Sequence, residues 1–368
     1  MKRLTLTKAL ILAGGFGTRL RPLTCTRPKT LFPIVNKPLL EWIFARLASY
    51  KIKEAILAVN ALTAFHVKNQ RIPKHGLRIR FSIDPPKKPL GTGGPIKNAE
   101  KLIGYTEPFM VLNGDIFAEP NYTEILKVHQ KNKAIATIAL NKVEDPTRYG
   151  VAELARKNRI TNFIEKPAKG KAPTNLINAG IYVLNPEIFS YIPIGKAVSM
   201  EREIFPILVQ EGKLYGHIIQ GLWMDIGKPE EYLEANKIIL NKLPQKAHTK
   251  YAEKFTLKNP TAIDKNVTIG ANSTIGPNTI LGKNITIGKN VQIKESIILP
   301  YTKIADHTLI NGAIIGENTI IGKEVQIGKG CVIGDQATIM DNISLADKTI
   351  ICPAKEVSEN ILKSKVIC

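Results

Sequence analysis

Cysteine is scarce in this 368-residue sequence: Cys25, Cys331, Cys352 and Cys368 are the only four. None forms a CxxC pair or lies beside a histidine at metal-ligand spacing, which argues against a zinc site and against structural disulfides. Isolated reduced thiols, as in a cytosolic protein, are the expectation. Long apolar runs are also missing, and none approaches the roughly 20 residues needed to span a bilayer. The opening MKRLTLTKALILAGG sets basic residues before an apolar patch, but the patch at 9–13 is too short for a signal peptide and runs into glycines. It reads as a first buried strand, and the protein as cytoplasmic. Aromatic residues make up only 6% of the chain, and no RRM, KH or zinc-finger pattern is present. With 44% hydrophobic and 23% charged residues the composition is that of a folded globular chain, and the length favours two domains.

Acidic residues are few, 31 against 52 Lys and Arg, giving a net charge of +21. The excess is not spread evenly. Residues 259–351 hold eight Lys and eight acidic residues, and residues 1–258 carry a net +20. The positive field therefore belongs to the first domain. It suits nucleic acid or small polyanions such as nucleotides and sugar phosphates equally.

The chain changes character near residue 250. Before it, apolar runs at 9–13, 55–59, 109–112, 135–140 and 181–184 alternate with helical patterns such as 39–50 and 122–131. This alternation predicts a mainly parallel sheet covered by helices. The polar segment 246–258 reads as a linker. After it, Ile263, Ile269, Ile275, Leu281, Ile287, Ile293 and Leu299 recur every six residues, four of them followed by glycine. The register slips by five residues twice, through Ile304, Ile310 and Ile315, then resumes to Ile351. A period of six is the hexapeptide signature of a parallel β-helix, and 263–351 amounts to about five coils at eighteen residues each. The slips suggest an external loop or a skipped corner.

After the first run comes Leu10-Ile-Leu-Ala-Gly-Gly-Phe-Gly-Thr-Arg-Leu20, whose glycines let the backbone turn sharply and aim N–H groups at a polyphosphate. A dinucleotide fingerprint would need a third glycine where Leu20 stands, and the P-loop's Gly-Lys-Ser/Thr is absent. Alone, the pattern also fits an ordinary tight turn. Arg19 and Lys29 then frame a cationic, proline-stiffened stretch suited to triphosphate charge.

GGFGTRLRPLT, RPKTLFPIVNKPLLEW, PLGTGGPI at 89–96, LNGDI at 112–116, RYGVAEL at 148–154, FIEKP at 163–167, NAGIYVL at 178–184 and WMDIGKP at 223–229 occur in order. In this the sequence resembles the sugar-1-phosphate nucleotidylyltransferases along its whole length. SMEREIFP at 199–206 and the carboxyl end resemble the mannose-1-phosphate guanylyltransferase branch. The resemblance implies an α/β Rossmann-like nucleotidyltransferase domain at 1–245 and, at 259–368, a left-handed parallel β-helix of hexapeptide repeats with a C-terminal tail. It also implies transfer of a nucleotidyl group to a sugar 1-phosphate with release of pyrophosphate, by direct in-line attack.

Carried onto matching positions, the resemblance makes Arg19, Lys29, Asp115, Lys166 and Asp225 the catalytic set, with Asp115 and Asp225 holding Mg²⁺. Magnesium accepts a few carboxylates plus substrate oxygens and water, which suits two aspartates and no histidine. Leu12, Ala13, Gly14, Gly15, Gly17, Thr18, Asn113 and Gly114 would join Arg19 and Lys29 on the nucleotide, with Leu90, Gly91 and Thr92 at the base. Asp84 would read guanine through its N1–H and N2–H₂, although the loop DPPKKPLGT carries additional residues and Asp84 fits a turn before Pro85 equally well. Gly150, Glu165, Lys166, Asn178 and Gly180 would hold the sugar phosphate, and Trp223 reads as packing. The partners implied are the two substrates, with neither nucleic acid nor membrane, and a homo-oligomer to which the β-helix contributes. Glucose 1-phosphate with UTP, dTTP or ATP remains an alternative, as does a non-catalytic regulatory subunit. An acyltransferase would need a histidine at a coil edge, where His307 is the single candidate and reads as structural or exposed.

Overall fold

The computed structural model describes residues 6–15, 17–85, 89–244 and 254–368. By packing, the chain forms two compact units that do not follow the sequence division. One comprises Met1–Gly15 and Leu39–Asp225, the other Phe16–Pro38 and Ile226–Cys368.

The first unit is built on a nine-stranded sheet. Arg78–Ile83, Glu54–Val59, Lys8–Leu12 and Phe109–Asn113 lie side by side in that order and all run parallel. Ala9, Leu10 and Ile11 are wholly buried, as a strand covered on both faces requires. Beyond Phe109–Asn113 the sheet turns mixed. Leu176–Leu184 runs antiparallel to it and pairs with Ala136–Lys142, while Leu214–Ile218 lies parallel to Ala136–Lys142 and Gly150–Leu154 forms a hairpin with Ile160–Glu165. Leu10, Ile56, Val111, Ile138, Tyr182 and Phe205 share one core. The helix Leu39–Ser49 buries Leu39, Leu40, Ile43, Phe44 and Leu47, one face at helical spacing. From Lys8–Leu12 the chain steps outward through two strands, then returns to the opposite side of the first strand. That reversal opens a crevice at the carboxyl ends of Lys8–Leu12 and Phe109–Asn113, where open α/β sheets bind ligands.

The second unit contains three parallel sheets of six, seven and six short strands, the architecture of a left-handed β-helix. Inward residues such as Ile275, Leu281, Ile293, Ile304, Ile321 and Ile333 are at most 2% exposed. At the corners Asn266, Asn272, Asn278, Asn284 and Asn290 adopt left-handed φ near 55–60°, the conformation asparagine tolerates best after glycine. This explains the asparagine period that accompanies the isoleucine period. His307 occupies one of these corners, with φ 63°.

The irregular stretch corrects one expectation. The five-residue steps fall from Ile293 to Ile298 and from Ile310 to Ile315, both between the same two sheets. No external loop is inserted; that corner is one residue shorter in two successive coils. Ile298, not Leu299, is the inward residue. The repeat also extends past both expected ends. Thr256–Leu257 already pairs with Thr274–Ile275, and Val366–Ile367 pairs with Ile350–Ile351. The remainder of the expected linker, up to residue 253, lies outside the described residues.

The last pairing overturns the expectation of reduced thiols throughout. It brings Cys352 beside Cys368, and the two form a disulfide with Cα atoms 4.8 Å apart. Sixteen residues separate them, close to one coil, so stacking sets them in register. Cys25 and Cys331 are free. Among the described residues no helix is long and apolar enough to cross a membrane.

Candidate active site

The paired ends of Lys8–Leu12 and Phe109–Asn113 set the first unit's candidate residues. Leu12 stands beside Asn113, and the Gly114 N–H donates to the Leu12 carbonyl at 2.8 Å. On the other side, the Ala13 N–H donates to Ala58 at 2.9 Å, and the Asn60 amide donates to the Gly14 carbonyl at 3.0 Å. Gly14 therefore has a fixed orientation, and Gly15 is exposed. Asp84 follows the neighbouring strand, with its N–H on Val59 at 2.8 Å, and its carboxylate lies against Gly14. Burial raises the Asp84 pKa above the usual carboxylate value, partly countered by the Asn98 amide.

The PLGT loop is tied to the segment SMEREIFP. The Val198 N–H donates to Leu90 at 3.0 Å, and the Gly93 N–H donates to Val198 at 2.8 Å. Gly91, at φ 70°, has no alternative: a Cβ there would lie 2.2 Å from the Val198 oxygen. The Thr92 hydroxyl donates to Glu201 at 2.6 Å and accepts from the Met200 N–H at 2.9 Å.

A second cluster forms around the strand Leu176–Leu184, whose register breaks between Asn178 and Tyr182. At that break the Asn178 side-chain Oδ1 accepts from the Gly180 N–H at 2.9 Å, and the side-chain amide nitrogen donates to the Tyr182 hydroxyl at 3.0 Å. Gly180, at φ 69°, presses against Asn113, leaving no room for a side chain. The Trp223 indole donates to Ala179 at 2.9 Å and stacks edge-on with Tyr149, so it wedges the break as packing. Glu165 lies against Gly150 and 3.6 Å from the Lys166 ammonium, which projects into solvent. Burial raises the Glu165 pKa, the nearby Glu201 charge adds to this, and Lys166 offsets part of it.

Asp115 follows directly after Asn113-Gly114. Asp225 ends the short strand Trp223–Asp225, opposite Ile116 in an antiparallel pair. Asp115 thus lies in the turn one residue before Ile116, the partner of Asp225. Asp225 is mostly buried, with the Arg148 guanidinium 4.0 Å away. Among the described residues no group of three or more His, Cys, Asp or Glu could hold a metal. Two carboxylates fit an ion that completes its shell with phosphate oxygens and water, as Mg²⁺ does.

Gly17, Thr18, Arg19 and Lys29 belong to the second unit. The Thr24 hydroxyl donates to the Gly17 carbonyl at 2.8 Å, Lys29 is buried against Gly17, and Arg19 is exposed. Sequence reasoning gives no role to Glu201, Tyr182, Arg148 or Asn60. Glu201 and Tyr182 lie inside the SMEREIFP and NAGIYVL motifs, but their meeting at Asn178 and Glu165 depends on the strand break. Asn60 caps the helix Ala61–Asn69.

Residues 8–242 match the nucleotidyl transferase family model, and residues 257–367 match the GMPPB C-terminal domain. The sequence is 40% identical over 242 residues to mannose-1-phosphate guanylyltransferase catalytic subunit beta of Danio rerio, covering 65% of this chain and 66% of the relative. It is 38% identical over 262 residues to mannose-1-phosphate guanyltransferase of Saccharomyces cerevisiae, covering 70% and 71%. Among solved structures, UDP-glucose pyrophosphorylase from Acinetobacter baumanii shares the fold, with a TM-score of 0.56 at 22% identity over 65% of this chain and 95% of that one. HddC from Yersinia pseudotuberculosis is similar, with a TM-score of 0.55 at 28% identity over 64% and 100%.

Proposed function

The chain belongs to the nucleotidyl transferase family, and from that premise we propose that it joins GTP to mannose 1-phosphate, forming GDP-mannose and releasing pyrophosphate. The observation that supports this reading is the pairing of Asp225 with Ile116, the residue after Asp115, next to the switch-point crevice. The names of the curated relatives supply the choice of base and sugar.

A phosphate monoester has a second pKa near 6 and is largely dianionic at neutral pH. Its oxygen attacks the α-phosphorus directly, the bond to the β-phosphate oxygen breaks, and pyrophosphate leaves with the electron pair. No general base is needed. The chain's task is positioning and charge neutralisation. Backbone groups of Leu12, Ala13, Gly14, Gly15 and Gly17, with Thr18, Asn113 and Gly114, line the nucleotide. Arg19 and Lys29 neutralise the departing pyrophosphate. Asp84, Leu90, Gly91 and Thr92 face the base. Lys166 holds the attacking phosphate, while Glu165, Gly150, Asn178 and Gly180 orient the sugar. Asp115 and Asp225 would hold Mg²⁺, which when bound supplies further charge neutralisation on the triphosphate.

In this reading the sequence domains 1–245 and 259–368 are a catalytic part and an assembly part, and the substrates point to the cytoplasm. Leu309, Ile320 and Met340 leave apolar surface exposed on the β-helix, which supports self-association there. Sedimentation of the intact chain tests that point. The catalytic reading is tested by a matrix of nucleoside triphosphates against sugar 1-phosphates, with pyrophosphate release measured with and without Mg²⁺. GTP with mannose 1-phosphate should be fastest. Faster release from UTP, dTTP or ATP with glucose 1-phosphate, or no release from any pair, would overturn it.

A further inference from the structure

The segment carrying Arg19 and Lys29 has little structure of its own. Between residues 17 and 32 it makes three single-turn 3-10 helices, Thr18–Leu20, Leu23–Cys25 and Lys29–Leu31, punctuated by Pro22 and Pro28. The turns make local backbone bonds, such as Leu31 N–H to Pro28 at 2.9 Å. Such a segment keeps one conformation only if something else holds it.

Within the second unit, holding contacts come from 199–309 residues further along the chain. Tyr232 donates to the Pro33 carbonyl at 2.6 Å, Asn236 accepts from the Val35 N–H at 2.8 Å, and the Asn36 amide donates to Leu281 at 2.9 Å. A further anchor, at Thr26 and Arg27, is ionic. The Thr26 hydroxyl donates to Asp335 Oδ2 at 2.6 Å, and the Arg27 guanidinium reaches that same oxygen at 3.2 Å and also bonds Glu317. The Arg27 and Asp335 side chains are only 18% and 7% exposed. Burial alone would lower the Arg27 pKa, but Asp335 and Glu317 outweigh it.

Asp335 also belongs to a series. Asp306, Asp341 and Asp347 stand at β-helix corners, each accepting from a backbone N–H of the preceding coil, at Lys289, Lys323 and Lys329, all at 2.7 Å. Asp335 does the same for Glu317 with Oδ1, at 2.7 Å. Its second oxygen is given to Thr26 and Arg27, so at this corner a repeat residue carries an additional duty that the repeat does not require.

We infer that Arg27, Glu317 and Asp335 form a clamp by which the β-helix positions the Arg19–Lys29 segment, so that affinity for the nucleoside triphosphate is set partly by coil residues of the carboxyl-terminal domain. These are positioning residues, and the inference rests on the reading that Arg19 and Lys29 receive the triphosphate. Asp335→Asn isolates the duty: its amide oxygen still caps Glu317, but its NH₂ cannot accept from Thr26 and Arg27. With the intact chain, the KM for GTP should rise about tenfold while the KM for mannose 1-phosphate stays within about twofold and the thermal midpoint barely moves. Arg27→Ala combined with Asp335→Asn should cost less than the sum of the two changes, because both break the same pair. Asp341→Asn, the same change at a corner without the second duty, should leave both KM values unchanged. If Asp335→Asn does not fold, Arg27→Lys, which keeps charge but loses the fork, is read in the same way. A wild-type KM for GTP in the variant, or an equal rise for both substrates, would overturn the clamp. Failure of the functional reading is distinct, because the wild-type chain itself would then release no pyrophosphate. Calorimetric titration with GTP alone still judges the clamp in that case: a wild-type affinity in Asp335→Asn overturns it, and about tenfold weaker binding supports it.

Discussion

The sheet unit and the β-helix solve opposite problems. The sheet makes its site from exceptions: a switch in strand order, a register break at Asn178, and glycines at Gly91 and Gly180 where the backbone leaves no room. The β-helix is made of repetition, with an inward aliphatic residue and a left-handed corner in each step, and a charge balance near zero. The difference teaches where to look for function. In the sheet, departures from regularity gather the candidate residues; in the β-helix, the departures are a shortened corner, a terminal disulfide and one aspartate with a second task.

The comparison breaks most sharply at the site itself. Asp115→Asn should lower turnover by about a thousandfold or more while circular dichroism and the thermal midpoint stay near wild type, since in the proposed reading it removes a carboxylate that would hold Mg²⁺ against the triphosphate. Retained turnover would remove the site from the strand ends. The reverse separation is expected at Ile321, 1% exposed in the β-helix core. Ile321→Ala should cost about 2–5 kcal/mol in denaturant unfolding, from the lost transfer energy and the cavity left behind, with the KM for mannose 1-phosphate unchanged.

A pH effect distinguishes the units further. His129, buried in the sheet unit with Nδ1 3.0 Å from the Thr137 hydroxyl, has its pKa pushed down to about 4 by burial, partly opposed by Asn185. The folded state prefers the neutral ring, whereas the unfolded chain takes up a proton near the usual value of about 6.5. Stability is therefore full above that value and falls as pH drops toward 4, by roughly 3 kcal/mol for a shift of this size. Urea midpoints at pH 7 and pH 5 should differ in the wild type and differ less in His129→Gln. The smallest effect is expected in the last coil of the β-helix. Cys368→Ser opens a loop of sixteen residues and should cost about 1–3 kcal/mol, read as hydrogen exchange confined to the last coil.

The elements that the sequence announces are those with a local pattern. The apolar runs at 9–13 and 109–112 coincide with Lys8–Leu12 and Phe109–Asn113 to within a residue, and the period of six is the inward ladder. Periodicity is a local property, and local properties are written in order along the chain. Contacts between distant residues are not. The pairing of Arg27 with Asp335 spans 308 positions, and nothing around either residue announces it. Cys352 and Cys368 look isolated in the sequence because their distance matters only once the coil length is known. Glu201 is visible as part of a motif, yet its place beside Glu165 depends on how the strand breaks at Asn178. The mixed half of the sheet is hidden for a similar reason, because short hairpins such as Gly150–Leu154 with Ile160–Glu165 give few alternations to count.

The most direct test of the account is a crystal structure of the intact chain with GDP-mannose and Mg²⁺. The account predicts the diphosphate at the carboxyl ends of Lys8–Leu12 and Phe109–Asn113, with the ion on Asp115 and Asp225 and the sugar beside Glu165 and Asn178. A nucleotide sugar bound along the β-helix, with those aspartates making no contact to ion or phosphate, would contradict it.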